Sequence, residues 1–256
     1  MTSPRLELIG LTDLPIVRPG DDLAVLISDA LARAGLQPAA RDVVVVAQKI
    51  VSKAEDRFVD LATVTPSARA QTIAAETAKD PRLVEVILSE TRRIVRKREG
   101  VLIVEHRLGF VMANAGVDQS NVAPSDGRHR VLMLPRDPDA TAEALHKKLS
   151  ERHGCDIAVI INDSFGRAWR PGTTGVALGA AGLPALLDLR GGPDLFGRTL
   201  QASVVGFADE IAAAASLVMG QGPEAIPVVL VRGLSWSAPA NPAKSLIRTA
   251  EDDLFR

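Results

Sequence analysis

The sequence has little of what several classes of protein require. Cys155 is the only cysteine among 256 residues, which excludes an internal disulfide and a cysteine-based zinc site and is typical of a reducing compartment. There is no tyrosine, and two tryptophans and six phenylalanines are too few for an extended base-stacking surface. The N-terminal MTSPRLELIG lacks the regions of a signal peptide, and no apolar run approaches the ~20 residues that span a bilayer. We therefore expect a cytoplasmic protein that does not bind membranes.

Neither sign of charge is in excess. Lysine and arginine number 30 against 31 aspartates and glutamates, so no global positive field would attract nucleic acid. Any anionic ligand must be held locally. The hydrophobic content of 46% is enough for the core of one domain or of two small subdomains. The composition thus indicates a globular protein that acts on small ligands.

Short apolar runs alternate with helical patterns along the chain. The runs predict strands at residues 6–9, 43–46, 101–104, 110–112, 156–161, 200–205 and 227–231. Amphipathic spacing and capping residues predict helices from residue 23 to Gly35, over 67–98, over 138–153 and over 208–219. The glycine-rich segment 172–182 alternates with apolar residues and is not predicted to be a linker. This pattern predicts an α+β fold, or mixed α/β elements, without an internal repeat.

A basic cluster closes the predicted helix over residues 67–98. Its members are Arg92, Arg93, Arg96, Lys97 and Arg98. Such a cluster is more often a solvated helix face than an anion site, and we predict the former.

Two predicted strands are followed by polar loops that contain aspartate. NAGVDQSN, residues 114–121, contains Asp118, and the strand 156–161 runs into Asp163 and Ser164. These oxygen ligands are of the kind that Mg²⁺ or Mn²⁺ prefers, and nucleotide phosphates would complete the shell. Turn formation and helix capping explain the same residues, and from spacing alone they are the preferred explanation. The phosphate-loop pattern G-x-x-x-x-G-K-[ST] is absent, and no G-x-G-x-x-G follows a predicted strand.

Five long blocks carry a family resemblance. They are AQKIVSKAED (47–56), NAGVDQSNV (114–122), INDSFGRAWRPG (161–172), ADEIAAAASLVMGQG (208–222) and IPVVLVRG (226–233). In this order and spacing, from about residue 8 to residue 233, the chain resembles the coenzyme F-420:L-glutamate ligase family. The resemblance implies a ligase domain over residues 5–235, with residues 236–256 as a tail or as the junction to a further domain. It also implies an intertwined homodimer of two α+β subdomains.

The resemblance further implies a reaction. The γ-phosphoryl group of GTP would activate the carboxylate of the deazaflavin coenzyme precursor as an acyl phosphate, and the amine of L-glutamate would then attack. No protein nucleophile is needed, and no histidine or cysteine lies in a recognisable triad context. Mg²⁺ or Mn²⁺ is the implied cofactor, and a monovalent cation such as K⁺ is a further candidate.

Roles for individual residues follow from the same resemblance. Asp118, Asp163 and Lys53 are the implied catalytic residues, and the implied metal ligands are Asp118, Asp163, Ser164 and Gln221. Gln221 stands where a glutamate can stand in a relative, which leaves open whether a second metal binds. Arg167 and Arg170 resemble anion contacts for a phosphorylated substrate. The implied nucleotide contacts are Leu14, Pro15, Ile16, Val17, Gln48, Lys53, Asn121, Met219, Gly220, Gln221 and Gly222.

Three other functions stay open. A ligase of the same fold could act on another carboxylate, because the matching blocks report on nucleotide and metal more than on the acceptor. The two aspartates could instead serve a metal-dependent nucleotide phosphohydrolase. A non-catalytic GTP-binding regulator is the third alternative.

Overall fold

The structure is a computed structural model that describes residues 3–120, 129–249 and 251–254. In chain order, strands β1 to β12 are Glu7–Leu11, Val43–Ala47, Phe58–Asp60, Thr91–Arg98, Val101–His106, Val111–Ala113, Arg130–Leu132, Ala158–Arg167, Arg170–Ala181, Leu187–Asp188, Val204–Val205 and Val228–Arg232. Helices α1 to α6 are Leu23–Arg33, Gln48–Ala54, Ala68–Thr77, Pro81–Ser89, Pro138–His153 and Phe207–Met219. This mixture of helices and mainly antiparallel strands confirms the predicted α+β class.

The main sheet has five strands in the order β1-β12-β2-β8-β9. Only the β2–β8 pair is parallel; the other neighbours are antiparallel. Side chains on a strand alternate between faces, so Val44 and Val46 enter one hydrophobic cluster while Val43 and Val45 enter another. Helices α1 and α5 supply the first cluster, and α6 supplies the second. Burial on both faces explains why β2 is an uninterrupted valine run.

Helix boundaries follow the predicted capping signals. Asp22 accepts a hydrogen bond of 2.9 Å from the backbone N–H of Ala24 and begins α1. Asp137 caps α5 in the same way, and the left-handed Gly154 ends that helix. The helices predicted over 138–153 and 208–219 are confirmed, the latter with one residue added at its start.

The helix prediction was wrong in one region of the chain, residues 67–98. The predicted helix over 67–98 consists of α3, α4 and then strand β4. Ala78 adopts a left-handed conformation after α3, and Asp80 and Pro81 begin α4. Arginine and lysine favour helices, but β4 pairs with the apolar strand β5, and this tertiary pairing overrides the local preference. The basic cluster therefore lies on a strand.

The remaining strand predictions can be compared directly. The hairpin predicted from runs 101–104 and 110–112 is confirmed as β5 and β6. The glycine-rich segment forms β9, and Gly175 is required there because a Cβ atom would overlap the backbone of Ala212 in α6. Of the strand predicted at 200–205, only Val204–Val205 forms, paired with β10. Within residues 3–120, 129–249 and 251–254, no helix is long and apolar enough to cross a membrane.

The last described segment packs on the main body. The ring of Trp236 meets the ring of Phe207 edge-on at 6.1 Å, and Ala243 is fully buried. The division at residue 235 stays a prediction.

Candidate functional site

Two predicted blocks meet because β2 and β8 are parallel. Their carboxyl ends reach the same edge of the main sheet, where Ala47 lies opposite Asn162. Gln48 then begins α2, while Asp163 and Ser164 continue β8. Ligands of mixed α/β sheets bind at such carboxyl ends. The topology thus assembles one polar edge from residues more than 100 positions apart.

Asn162 connects this edge to α6. The β8–β9 register shifts between Ile161 and Asn162, and bulges of this kind re-aim side chains next to functional sites. The Asn162 amide donates to Ser216 Oγ at 3.0 Å and to the sulfur of Met219 at 3.4 Å. Its Oδ1 atom is buried without a hydrogen-bond partner among the described residues. The turn that follows Met219 is thereby held beside Asp163.

Asp118 is positioned by a strained turn. Asn114 and Ala115 have φ angles of 53° and 51°, and an alanine in this left-handed region costs about 1–2 kcal/mol. Gly116 continues the turn at φ 66°, where a side chain would also overlap Leu134. The backbone of Asp118 then exchanges two hydrogen bonds of 2.9 Å with Leu132. These two hydrogen bonds hold the backbone of Asp118 in place after the strained turn.

The first of two cavities at this edge has a volume of about 500 Å³. Segment Leu14–Val17, the start of α2 and the end of β8 line it together with the turn after α6. The predicted residues found around it are Leu14, Pro15, Ile16, Val17, Gln48, Lys53, Asp163, Ser164, Met219, Gly220, Gln221 and Gly222. Among the predicted nucleotide contacts, Asn121 lies outside the described residues. All the others line this one cavity.

The second cavity is smaller, at about 230 Å³, and meets the first. Gln48, Lys49, Asp163 and Ser164 line both, while Asp118 lines only the second. The rest of its wall comes from β6, the strained turn and the β8–β9 hairpin. A group in either cavity would therefore face the same four side chains.

Lys49 is the functional candidate that the sequence reasoning missed. Its ammonium lies 2.6 Å from Oδ2 of Asp118 and donates to Ser120 Oγ at 2.8 Å. Lys49 and Lys53 are four residues apart on α2, so they share one helix face. Two like charges at this spacing destabilise a helix. The two lysines four residues apart are therefore the feature of the sequence that could have indicated an anion site.

The two aspartates have opposite pKa shifts. Burial raises the pKa of Asp118, but the hydrogen bonds from Lys49 and the Ser120 backbone outweigh it, so the net pKa is lowered. Burial raises the pKa of Asp163 to about 6, and the Asp118 charge adds to this effect. Asp163 therefore lies where a negative charge is poorly solvated and a nearby cation would be stabilising.

Lys53 is the second cation of the first cavity. Burial lowers the pKa of its ammonium, and the neighbouring Lys49 charge lowers it further. The ammonium groups of Lys49 and Lys53 thus lie close to one another and near the carboxylates of the site. Such a site suits a ligand whose negative charge is dispersed.

Sequence comparisons with known proteins show the family of this chain. The profile of the F420-0:Gamma-glutamyl ligase family matches residues 12–233. The chain belongs to this family. It is 46% identical over 253 residues to the Coenzyme F420:L-glutamate ligase of Methanothermobacter thermautotrophicus, covering 98% of this chain and 99% of that protein. It is 46% identical over 245 residues to the Coenzyme F420:L-glutamate ligase of Methanopyrus kandleri, covering 94% and 93% respectively. For the Archaeoglobus fulgidus protein of the same name the identity is 39% over 252 residues, with 98% and 97% covered.

The donor set of this F420-0:gamma-glutamyl ligase family member suits a hard divalent cation. Asp118, Asp163 and Ser164 offer carboxylate and hydroxyl oxygens around one junction, and the Lys49 ammonium already places a positive charge against Asp118. In the described part of the chain, no group of three or more histidine, cysteine, aspartate or glutamate side chains could hold a metal. A cation there would therefore need further oxygens, from Gln221, water or a phosphorylated ligand.

Two predicted arginines lie elsewhere. Arg167 and Arg170 face each other at the end of the β8–β9 hairpin, and both are exposed. Neither lines the two cavities. Trp169 between them is 79% exposed. Their suggested contact with a phosphorylated substrate stays a prediction.

Proposed function

We propose that this protein is a GTP-dependent ligase that forms an amide between a carboxylate of the coenzyme F420 precursor and L-glutamate, through an acyl phosphate. The observation that carries the proposal is the junction of the two cavities at Asp163 and Ser164. Such a junction suits a phosphoryl donor and a carboxylate acceptor that must approach each other end to end. The acceptor and the amine follow from the names of the relatives.

The larger cavity suits the nucleotide. Its volume of about 500 Å³ lies within the range of ligand pockets, about 300–1,000 Å³. Segment Leu14–Val17 supplies apolar surface, and Ile16, 79% exposed, presents it to a base. Lys53 also lines this cavity and supplies a point charge for phosphate. The nucleotide would thus lie with its phosphates toward Asp163.

The smaller cavity suits the carboxylate end of the acceptor. At about 230 Å³ it is too small for a whole deazaflavin, so the ring system would remain outside. Lys49 is the one cationic residue among the described residues that line it, and it would attract one carboxylate. Because Lys49 also lines the larger cavity, its ammonium would lie beside the phosphates of the nucleotide and could orient both reactants.

The reaction then needs positioning more than protein chemistry. A carboxylate oxygen attacks the γ-phosphorus, GDP leaves, and the acyl phosphate forms; the glutamate amine next attacks the acyl carbon, loses a proton and expels phosphate. Lys49 and Lys53 offset the negative charge that spreads over the transferred group. Asp118, Asp163 and Ser164, with Gln221, would hold Mg²⁺ or Mn²⁺, which supplies Lewis-acid stabilisation of that charge. We also propose the homodimer implied by the family resemblance.

The test is a reconstituted reaction. Purified protein receives GTP, Mg²⁺ or Mn²⁺, L-glutamate and the deazaflavin precursor, and product masses are read by mass spectrometry. The expected product is the glutamylated precursor, with one GDP and one phosphate released per amide bond. With ¹⁸O in the precursor carboxylate, one label should appear in the released phosphate, as an acyl phosphate requires.

Each alternative function gives a different result. Phosphate release from GTP without precursor or amine would support a phosphohydrolase. Glutamylation of another acid but not of the deazaflavin would support a ligase with a different acceptor. Saturable GTP binding without turnover under any condition would support a regulator. Unlabelled phosphate accompanied by amide formation would contradict the acyl-phosphate step alone.

A further inference from the structure

A third cavity shares no lining residue with the two described above. Its volume is about 370 Å³, and three separate parts of the chain line it with basic residues. Arg92 comes from β4, Arg107 from the β5–β6 turn, and Lys244 and Arg248 from the C-terminal segment. It joins Arg92 of the basic cluster to the C-terminal segment, and the proposed function uses neither.

Positive charge exceeds negative charge around this cavity. The buried Glu105 accepts hydrogen bonds from Arg92 at 3.2 Å and Arg93 at 2.6 Å. The buried Glu90 is shared in the same way, by Arg107 at 2.8 Å and by Arg57. Four guanidinium groups thus share two carboxylates, so neither Arg92 nor Arg107 has one of these carboxylates to itself.

The two acids of the cavity wall are engaged by backbone. Asp137 caps α5 through the N–H of Ala140. Asp139 accepts three backbone hydrogen bonds of 2.8 to 3.1 Å, from Ala180, Ala243 and Lys244. These hydrogen bonds hold both carboxylates in place but leave their charges, so the lining carries four cationic side chains against two carboxylates. The N-terminal end of α5, a helix of 16 residues, adds its positive partial charge there.

The floor of the cavity is apolar. Phe110, Leu178 and Ile247 line it, and all three pack in the main hydrophobic cluster. Phe110 also meets Phe165 edge-on, with ring centroids 5.8 Å apart. Phe165 lines the second cavity, so this aromatic pair separates the two spaces.

We propose that this third cavity, which we call the basic cavity, binds a small organic dianion, with its phosphate or paired carboxylates held by Arg92, Arg107, Lys244 and Arg248 and its apolar part against Phe110 and Ile247. Arginine forks match both oxyanions. The excess of cations favours two negative charges over one. The volume fits a ligand smaller than a nucleotide. The inference does not depend on the ligase reaction.

The probes are phenyl phosphate, glutarate and inorganic phosphate, each titrated into the full chain by calorimetry. We expect one molecule of phenyl phosphate or glutarate to bind per chain. Phenyl phosphate should bind about tenfold more tightly than inorganic phosphate, because its ring covers the apolar floor. The tighter of the two organic anions identifies whether the natural ligand carries phosphate or carboxylates.

The decisive variant is the double substitution Lys244→Met with Arg248→Met. Both residues are exposed and neither is in the core, so the fold should persist. Binding should weaken by about tenfold or more, since two charges are lost. The matched control, Lys147→Met with Arg69→Met, removes the same charge from exposed positions outside the basic cavity and should bind as the unmodified protein does.

Three results would overturn the proposal. One is that neither organic anion saturates the protein. Another is equal weakening in the control and in the Lys244/Arg248 variant, which would show only a general field. The third is weakened phenyl phosphate binding in Lys53→Met, which would place the anion in the nucleotide cavity instead.

Discussion

Glu90 should contribute a large, pH-dependent part of the stability of this fold. Its side chain is buried and accepts hydrogen bonds from Arg57 at 3.0 Å, from Arg107 at 2.8 Å and from His106 Nε2 at 3.1 Å. Burial alone would raise the Glu90 pKa, but these partners outweigh it and lower the pKa from 4.5 to about 2. Replacing Glu90 by glutamine keeps the shape and removes the charge.

The size of the effect follows from that shift. A difference of about 2.5 pKa units corresponds to about 3 kcal/mol of unfolding free energy, at about 1.4 kcal/mol per unit. Because the folded-state pKa is the lower one, the stabilisation is complete above pH 4.5. It falls progressively as the pH drops toward 2. Glu90→Gln also leaves the buried Arg57 without its carboxylate, which acts in the same direction.

The measurement is urea unfolding followed by far-ultraviolet circular dichroism at pH 7, 5, 4 and 3. Glu90→Gln should be about 3 kcal/mol less stable than the unmodified protein at pH 7, and the gap should shrink as the pH falls below 4.5. Glu99→Gln, at an exposed position, is the control and should show no such gap. A gap that stays constant between pH 7 and 3, or one below about 1 kcal/mol at pH 7, would refute the reasoning.

The remaining predictions concern the candidate site. Asp118→Asn and Asp163→Asn should each abolish ligation with the fold intact by circular dichroism; near-normal turnover at limiting metal would contradict the assignment. Lys49→Met should raise the Michaelis constant for GTP by about tenfold, whereas Lys147→Met should leave it unchanged. Gln221→Glu should tighten Mn²⁺ binding in the nucleotide complex, and an unchanged titration midpoint would mean that the turn contacts nucleotide only. Asn121→Ala should weaken GTP by about 1–3 kcal/mol, and rescue by Asn121→Gly would reduce Asn121 to a turn residue.

Local sequence patterns predicted a helix or strand correctly where the residues of the segment favour only one kind of element. The valine run of β2 and the capped helix α5 have patterns that fit one element each, and the structure has them. The prediction was wrong at strand β4 because its basic residues favour a helix locally. The pairing of β4 with β5 is a non-local contact, which no short window of sequence contains. For the same reason, the strand observed within residues 200–205 is shorter than predicted, since its partner β10 has only two residues.

The candidate site was partly visible in the sequence. Asp118 and Asp163 stood out because each follows an apolar strand, which is a local pattern. Their meeting at one junction depends on the parallel pairing of β2 with β8, which periodicity does not specify. The sequence does not distinguish Lys49, because a lysine in a helix is ordinarily solvated. Its contact with Asp118 is seen only in the structure.

Several costs to stability coincide at this junction, and their coincidence bears on function. Ala115 is held in a left-handed conformation, Lys49 and Lys53 repel one another on α2, and the half-buried Asp163 has a raised pKa. All three features are unfavourable in the protein alone, and the two electrostatic ones are relieved by a ligand that brings both cationic and anionic groups. A metal-bound polyphosphate is such a ligand, because its cation would satisfy the carboxylates while its oxygens satisfy the ammonium groups. Unfavourable features that coincide at one place are expected where binding rather than stability set the sequence.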